Sequence, residues 1–227
     1  MSQNIGRRRF VKTAGVAALA GLRSNAVYAD DGKMLVLGIS CSPRKGKTTA
    51  TATQVALDAA KSFSPNVVVE IIDLGGMKIS GWRPQDQGET LADDFDLLLP
   101  LLKSANLGGI IIGSPVYFRN MSSLCAAFLE RLVVLRKPKL LLADKAVGVI
   151  SVGAYRNGGQ ELVIQQIQTA MLCHEAIIVG GKPGAHQGAT LWNTYDDDIL
   201  KDEFGIESAK KLGTRVAEAA LRIQSEK

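Results

Sequence analysis

Cysteine and histidine are scarce in this chain, with three of one and two of the other in 227 residues. Cys41, Cys125 and Cys173 are too few and too scattered for a disulfide framework. No CxxC pair occurs, and His174 and His186 stand alone, so the ligand spacing of a metal site is missing as well. Acidic residues are absent from residues 1–29, which carry Arg7, Arg8, Arg9, Lys12 and Arg23. That imbalance accounts for the whole formal charge of +5, because setting those residues aside leaves as many bases as acids. A global surplus of cations, which nucleic-acid binding needs to displace counterions, is therefore lacking. The longest apolar run near the N-terminus, Thr13 to Leu22, is too short to span about 30 Å of bilayer as a helix. What is present is ordinary for one well-buried domain: 46% hydrophobic and 22% charged residues.

The N-terminus reads as an address rather than as structure. Basic residues precede the Ala- and Gly-rich run, and Ala26-Val27-Tyr28-Ala29 offers small residues for cleavage. Arg7-Arg8-Arg9-Phe10-Val11-Lys12 fits Arg-Arg-x-Phe-x-Lys and resembles a twin-arginine export signal. Residues 1–29 are expected to be that signal, and residues 30–227 a single domain working in the periplasm or otherwise outside the cytoplasm. The membrane is met only during export.

From Met34 onward, candidate strands and helices alternate. Strands are expected at Met34–Ser40, Val67–Leu74, Leu107–Gly113, Ala146–Val152 and Ala176–Gly180. Helices are expected at Lys47–Phe63, Leu91–Ala105, Met121–Leu135, Gln160–His174 and Ile206–Gln224. This alternation predicts an α/β domain with right-handed crossovers, a doubly wound five-stranded parallel sheet in order 2-1-3-4-5, and helices on both faces. Ligands of such sheets bind at the strand carboxyl ends beside the switch in strand order, which directs attention to the loops after strands 1, 3 and 4.

The first of these loops, Ser40-Cys41-Ser42-Pro43-Arg44-Lys45-Gly46-Lys47-Thr48-Thr49, opens a helix with hydroxyls and cations, a composition suited to phosphate. Gly46-Lys47-Thr48 also ends like a P-loop, with Cys41 where that motif needs Gly, and Asp73 could mimic its Mg²⁺-binding carboxylate, so a nucleotide hydrolase is a rival reading. The second loop, Gly113-Ser114-Pro115-Val116-Tyr117-Phe118-Arg119-Asn120, brings an aromatic pair that suits a flat ring. The third, Gly153-Ala154-Tyr155-Arg156-Asn157-Gly158-Gly159-Gln160, has paired glycines for close approach and polar groups for a pyrimidine edge. Trp82 and Trp192 are candidate lids, and Asp196-Asp197-Asp198 reads as a solvated turn.

Taken together, the Ser-Pro-Arg-Lys-Gly, Pro-Val-Tyr-Phe and Arg-Asn-Gly-Gly-Gln loops resemble those of the flavodoxin-like NAD(P)H-dependent FMN reductases, most of all the iron–sulfur flavoprotein branch. The resemblance implies an FMN-dependent oxidoreductase working as a homodimer or homotetramer, reducing a small-molecule acceptor, with no catalytic acid or base of its own. It implies that Ser42, Arg44, Thr48 and Thr49 hold the FMN phosphate, with Lys47 assisting. Pro115, Val116, Tyr117, Phe118, Arg119 and Asn120 would border the flavin ring, and Tyr155, Arg156, Asn157, Gly158 and Gly159 would close its other side. NAD(P)H is the family's usual donor; export outside the cytoplasm favours a quinol or a redox protein instead. Two departures stand out. Cys41 replaces the usual Gly, and residues 75–94, where that branch carries its cluster cysteines, contain no cysteine, so no iron–sulfur cluster is expected. An electron carrier without substrate turnover is the alternative function.

Overall fold

A computed structural model of the chain describes residues 32–83, 93–193 and 197–226. The proposed signal and the Asp30 start lie outside the described residues, as does Asp196.

Strand β1 (Met34–Ser40) is buried along its whole length, as an unbroken apolar run in a sheet covered on both faces should be. Helix α1 (Thr48–Phe63) returns the chain to β2 (Val67–Asp73), which pairs with β1 in parallel from Met34↔Val67 to Ser40↔Asp73. A 3₁₀ turn (Phe95–Leu98) and one helical turn, α2 (Leu99–Leu102), precede β3 (Leu107–Pro115) on the other side of β1. Helix α3 (Ser123–Arg131), continued by a 3₁₀ turn, leads to β4 (Ala146–Gly153), and α4 (Gln160–Leu172) to the sheet edge. With β5 at Ile177–Ile178, the order β2-β1-β3-β4-β5, parallel throughout, is the expected flavodoxin-like one.

Two expectations need correcting. Of the single helix expected at Leu91–Ala105, residues 91–92 lie outside the described residues; the rest is broken because Pro100, lacking an N–H, sits at the start of α2 and forces the run to restart there. The fifth strand is split. β5 is only Ile177–Ile178 on the amino half of β4, and β6 (Ala189–Trp192) pairs in parallel with Ile150–Gly153. The intervening Gly180-Gly181-Lys182-Pro183-Gly184 interrupts the ladder. Helix α5 (Glu203–Ser225) closes the domain, with the Asp202 side chain capping it through the Gly205 N–H.

The sheet is packed on both faces. Leu35, Leu37 and Ile39 face α3 and α4 with Phe128, Val163 and Ile167, while Met34 and Val36 face α1 and α5 with Leu57, Leu212 and Val216. At Gly213 the α5 backbone approaches Ala56 so closely that a Cβ would collide with the α1 backbone, which is why α1 and α5 can share one face. The outcome is three packed layers with the carboxyl ends of β1, β3 and β4 together at one end.

Candidate functional site

Loop 1 leaves β1 through buried Ser42, whose Oγ accepts from the Arg44 N–H at 3.1 Å and turns the chain. Asp73, at the end of β2, anchors the loop: its carboxylate accepts from the Gly46 N–H at 2.6 Å and the Gly75 N–H at 3.2 Å. This is the role of a backbone tether, so the resemblance to a metal-binding P-loop carboxylate finds no support in its contacts. Helix α1 then begins at Thr48 behind Lys47 with no side-chain cap and no acidic residue in its first turn. An uncapped helix start directs N–H groups and a positive dipole end at whatever anion lies before it.

Arg44 and Lys47 are exposed at this start, while Thr48 and Thr49 are buried. The Arg44 guanidinium donates to Thr48 Oγ1 at 3.3 Å and, from one nitrogen, to both oxygens of Asp197 at 3.0 Å. Asp197 also accepts from the Asn193 side-chain amide at 2.8 Å. The Asn193 hydrogen bond foremost, with Arg44 and Lys47, holds the Asp197 carboxyl below its ordinary range, outweighing the cost of burial. The loop therefore carries an anion partner already, in the form of a carboxylate.

Loop 2 is a two-residue hairpin. Tyr117 and Asn120 exchange backbone hydrogen bonds at 2.9 Å, and both tip residues are left-handed, Phe118 at φ 50° and Arg119 at φ 63°. Neither is Gly, so each costs on the order of 1 kcal/mol or more, strain of the kind that collects at binding sites. Phe118 is 101% exposed at the tip, beside half-exposed Tyr117 at 42%. The hairpin is held from behind by α4: Gln166 donates to Asn120 Oδ1 at 3.0 Å and accepts from the Met121 N–H at 3.2 Å. Pro115 is buried at the end of β3, and Val116 is tied to β4 by its N–H on the Val152 carbonyl.

Loop 3 follows β4. The Tyr155 carbonyl accepts from the Gly158 N–H at 3.1 Å and from the buried Gln160 side chain at 2.6 Å, leaving the Tyr155 ring exposed. Gly159 has φ 108°, and a Cβ there would lie 3.2 Å from Arg119, so loops 2 and 3 touch and only glycine fits the junction. Asn157 is exposed and Gly158 half-buried.

Arg156 is held by groups of the protein itself. Its guanidinium pairs with the buried carboxylate of Asp202 and lies over the rings of Trp192 and Phe204, 5.5 and 5.8 Å from their centroids. In this arrangement it fastens loop 3 to β6 and α5, since a buried carboxylate left unpaired is costly. Trp192 has the same function: its indole N–H donates to the Ala154 carbonyl at 3.0 Å. Loops 1 and 2 are fastened by Ser122, which donates from Oγ to the Cys41 carbonyl at 2.6 Å while its N–H donates to Ser114 Oγ.

The fold thus brings all three expected loops to one end and adds Asn193, Gln160, Gln166 and Ser122, together with Asp197, which pairs with Arg44 and Asn193 instead of only turning in solvent. Of the Asp triplet, Asp197 pairs with Arg44 and Asp198 caps the Ile199–Lys201 turn. The segment after β2 is held by α3. Trp82 donates its N–H to Glu130, and Arg131, 5% exposed, pairs with Asp93 and lies 4.6 Å over Phe95. A groove of about 520 Å³ elsewhere, lined by Val55, Phe63 and Lys210, lies along the C-terminal half of α1, away from the loops.

Residues 34–190 match the family model of the NADPH-dependent FMN reductases. An iron–sulfur flavoprotein of Methanocaldococcus jannaschii is 36% identical over 197 residues, covering 84% of this chain and 100% of the relative. A quinone-type NAD(P)H dehydrogenase of Afipia carboxidovorans is 28% identical, covering 84% and 98%. Among solved structures, a WrbA-like flavodoxin from Agrobacterium tumefaciens shares the fold at TM-score 0.57 and 17% identity, covering 85% of this chain and 99% of that one.

Proposed function

Since this chain belongs to the NADPH-dependent FMN reductase family, we propose that it is an exported oxidoreductase that holds FMN across the three loops and reduces a small acceptor. The observation that carries the reading is the meeting of an uncapped, cationic helix start with a strained aromatic hairpin at the carboxyl ends of adjacent strands. These residues fit the cofactor. Arg44, Lys47 and the first N–H groups of α1, with Ser42, Thr48 and Thr49, would hold the phosphate. Pro115, Val116, Tyr117, Phe118, Arg119 and Asn120 would border the ring, and Tyr155, Asn157, Gly158 and Gly159 would face it from loop 3. When bound, the flavin supplies the electron chemistry; the chain's work is to bind, orient and tune it. Arg156 contributes by keeping loop 3 in place through Asp202.

The finer features belong to the same proposal. The twin-arginine pattern at Arg7 and Arg8 supports export of an already folded protein to the periplasm. Outside the cytoplasm the donor is a quinol or a small redox protein in preference to NAD(P)H, and the near-neutral chain without its first 29 residues gives no strong field to steer an anionic dinucleotide. Residues 75–94 contain no cysteine, which supports a protein without an iron–sulfur cluster. The fully exposed Phe118 beside the site favours assembly as a homodimer or homotetramer. The experiment that tests the core of this reading is equilibrium titration with FMN, followed by flavin fluorescence, and then steady-state turnover with a quinone. Tight FMN binding without turnover would leave an electron carrier.

A further inference from the structure

Two of the three cysteines, far apart in sequence, meet beneath loop 1. Cys41 follows β1 directly and Cys125 lies in the first turn of α3, both without solvent exposure and in the same core cluster. One hydroxyl bridges their backbones: Ser122 Oγ donates to the Cys41 carbonyl at 2.6 Å and accepts from the Cys125 N–H at 3.0 Å. After burial itself, Cys125 is the neighbour that most raises the Cys41 thiol, as a side chain close by in that cluster would. The shared hydroxyl keeps the two backbones close, which a disulfide requires, since its ends sit about 4.4–6.8 Å apart at Cα. Cys173 is exposed at the end of α4 and takes no part.

We propose that Cys41 and Cys125 are a dithiol–disulfide couple that, when oxidised, fastens the phosphate loop to the start of α3. The oxidant is a small-molecule disulfide, R–S–S–R. The thiolate of one cysteine attacks it, breaking the R–S–S–R bond, expelling one RS⁻ and leaving a mixed disulfide. The thiolate of the other cysteine then displaces the second RS⁻ and forms the protein S–S bond. Both protein protons end on two RSH molecules, and the two electrons lost by the cysteines reduce the oxidant. Burial foremost, then the Cys125 contact and the Asp73 charge, pushes the Cys41 thiol up, so attack in the closed fold is slow. The bond forms during folding or when loop 1 opens locally. The position suits a link between the two loops on either side of it, because Cys41 precedes Ser42 and Cys125 follows the hairpin.

The test is independent of flavin binding. Folded protein, and protein refolded from urea, are incubated with oxidised glutathione. Free thiols are then alkylated under denaturing conditions, and intact masses and peptide maps are read without reductant. The expected product carries one alkyl group, on Cys173, and its map joins the Cys41 and Cys125 peptides. It also has a higher urea midpoint than the reduced form. Cys173→Ser should retain the link, whereas Cys41→Ser and Cys125→Ser should each lose it. Three alkylated cysteines after both treatments would overturn the proposal. So would a link through Cys173, a persistent glutathione adduct, or an oxidised form with a lower urea midpoint. The wild-type peptide map decides the matter even where a variant fails to fold.

Discussion

Replacing Arg44 by Ala should weaken FMN much more than riboflavin, by an amount that the geometry bounds. A charge-assisted hydrogen bond from a guanidinium to phosphate contributes about 1.5–3 kcal/mol. Arg44 is not idle without it, because Asp197 accepts from it at 3.0 Å through both oxygens. Arg44 has 47% of its side chain exposed and Asp197 34%, so their pair is screened and is worth about 0–1 kcal/mol. Phosphate must displace that partner, which leaves a net loss of about 0.5–3 kcal/mol, roughly 2- to 160-fold in FMN affinity. Riboflavin has no phosphate and should lose little. Fluorescence titration of both flavins against wild type and Arg44→Ala measures the difference directly. Equal weakening of both would show that Arg44 does not meet the phosphate, and the assignment of loop 1 would fail.

Four further outcomes are expected. Asp197→Asn removes the competing anion and should tighten FMN by roughly 1.5- to 5-fold, with riboflavin unchanged; weaker FMN binding would mean that Asp197 positions Arg44 instead. Arg131→Ala leaves Asp93, 4% exposed, unpaired, and should cost about 3–5 kcal/mol in urea unfolding. Burial pushes Asp93 up, but the Ser80 and Phe95 N–H groups and Arg131 outweigh it and hold its carboxyl below the ordinary range. Its stabilising contribution is therefore complete above the ordinary carboxylate range, about pH 4, and lost as pH falls through the depressed value. The urea midpoint of Asp93→Asn should accordingly fall less in acid than that of wild type. Changing Arg7 and Arg8 together to Lys should keep the folded protein in the cytoplasm, as cell fractionation would read; unchanged export would mean a general secretory signal.

The central strands were legible because burial on both faces leaves them continuously apolar, and the half-buried edge strand Val67–Asp73 because of its β-branched residues. Met34–Ser40, Val67–Asp73 and the cores of β3 and β4 fall where the pattern puts them, and strand order then locates the loops. The split fifth strand was not legible, since Ala189–Trp192 is only four residues long, too short for its alternation to stand out beyond a Gly- and Pro-rich interruption. In the site, residue types announced loop 1 and the aromatic hairpin, but not what each side chain touches. Arg44 and Asp197 are 153 residues apart, and nothing local marks their pairing. Arg156 looks like a ligand-facing cation until Asp202 is brought beside it by the cap of α5. The meeting of Cys41 and Cys125 is equally non-local, since a strand end and a helix start adjoin only in the folded sheet.

The central claim is that the three loops together form an FMN site. The most direct measurement is the absorption spectrum of the purified protein with quantification of its flavin and iron. The account predicts a yellow protein whose released flavin is FMN, a single molecule per chain, with no iron. A colourless protein that takes up ATP but not FMN would contradict it and return loop 1 to the nucleotide hydrolases.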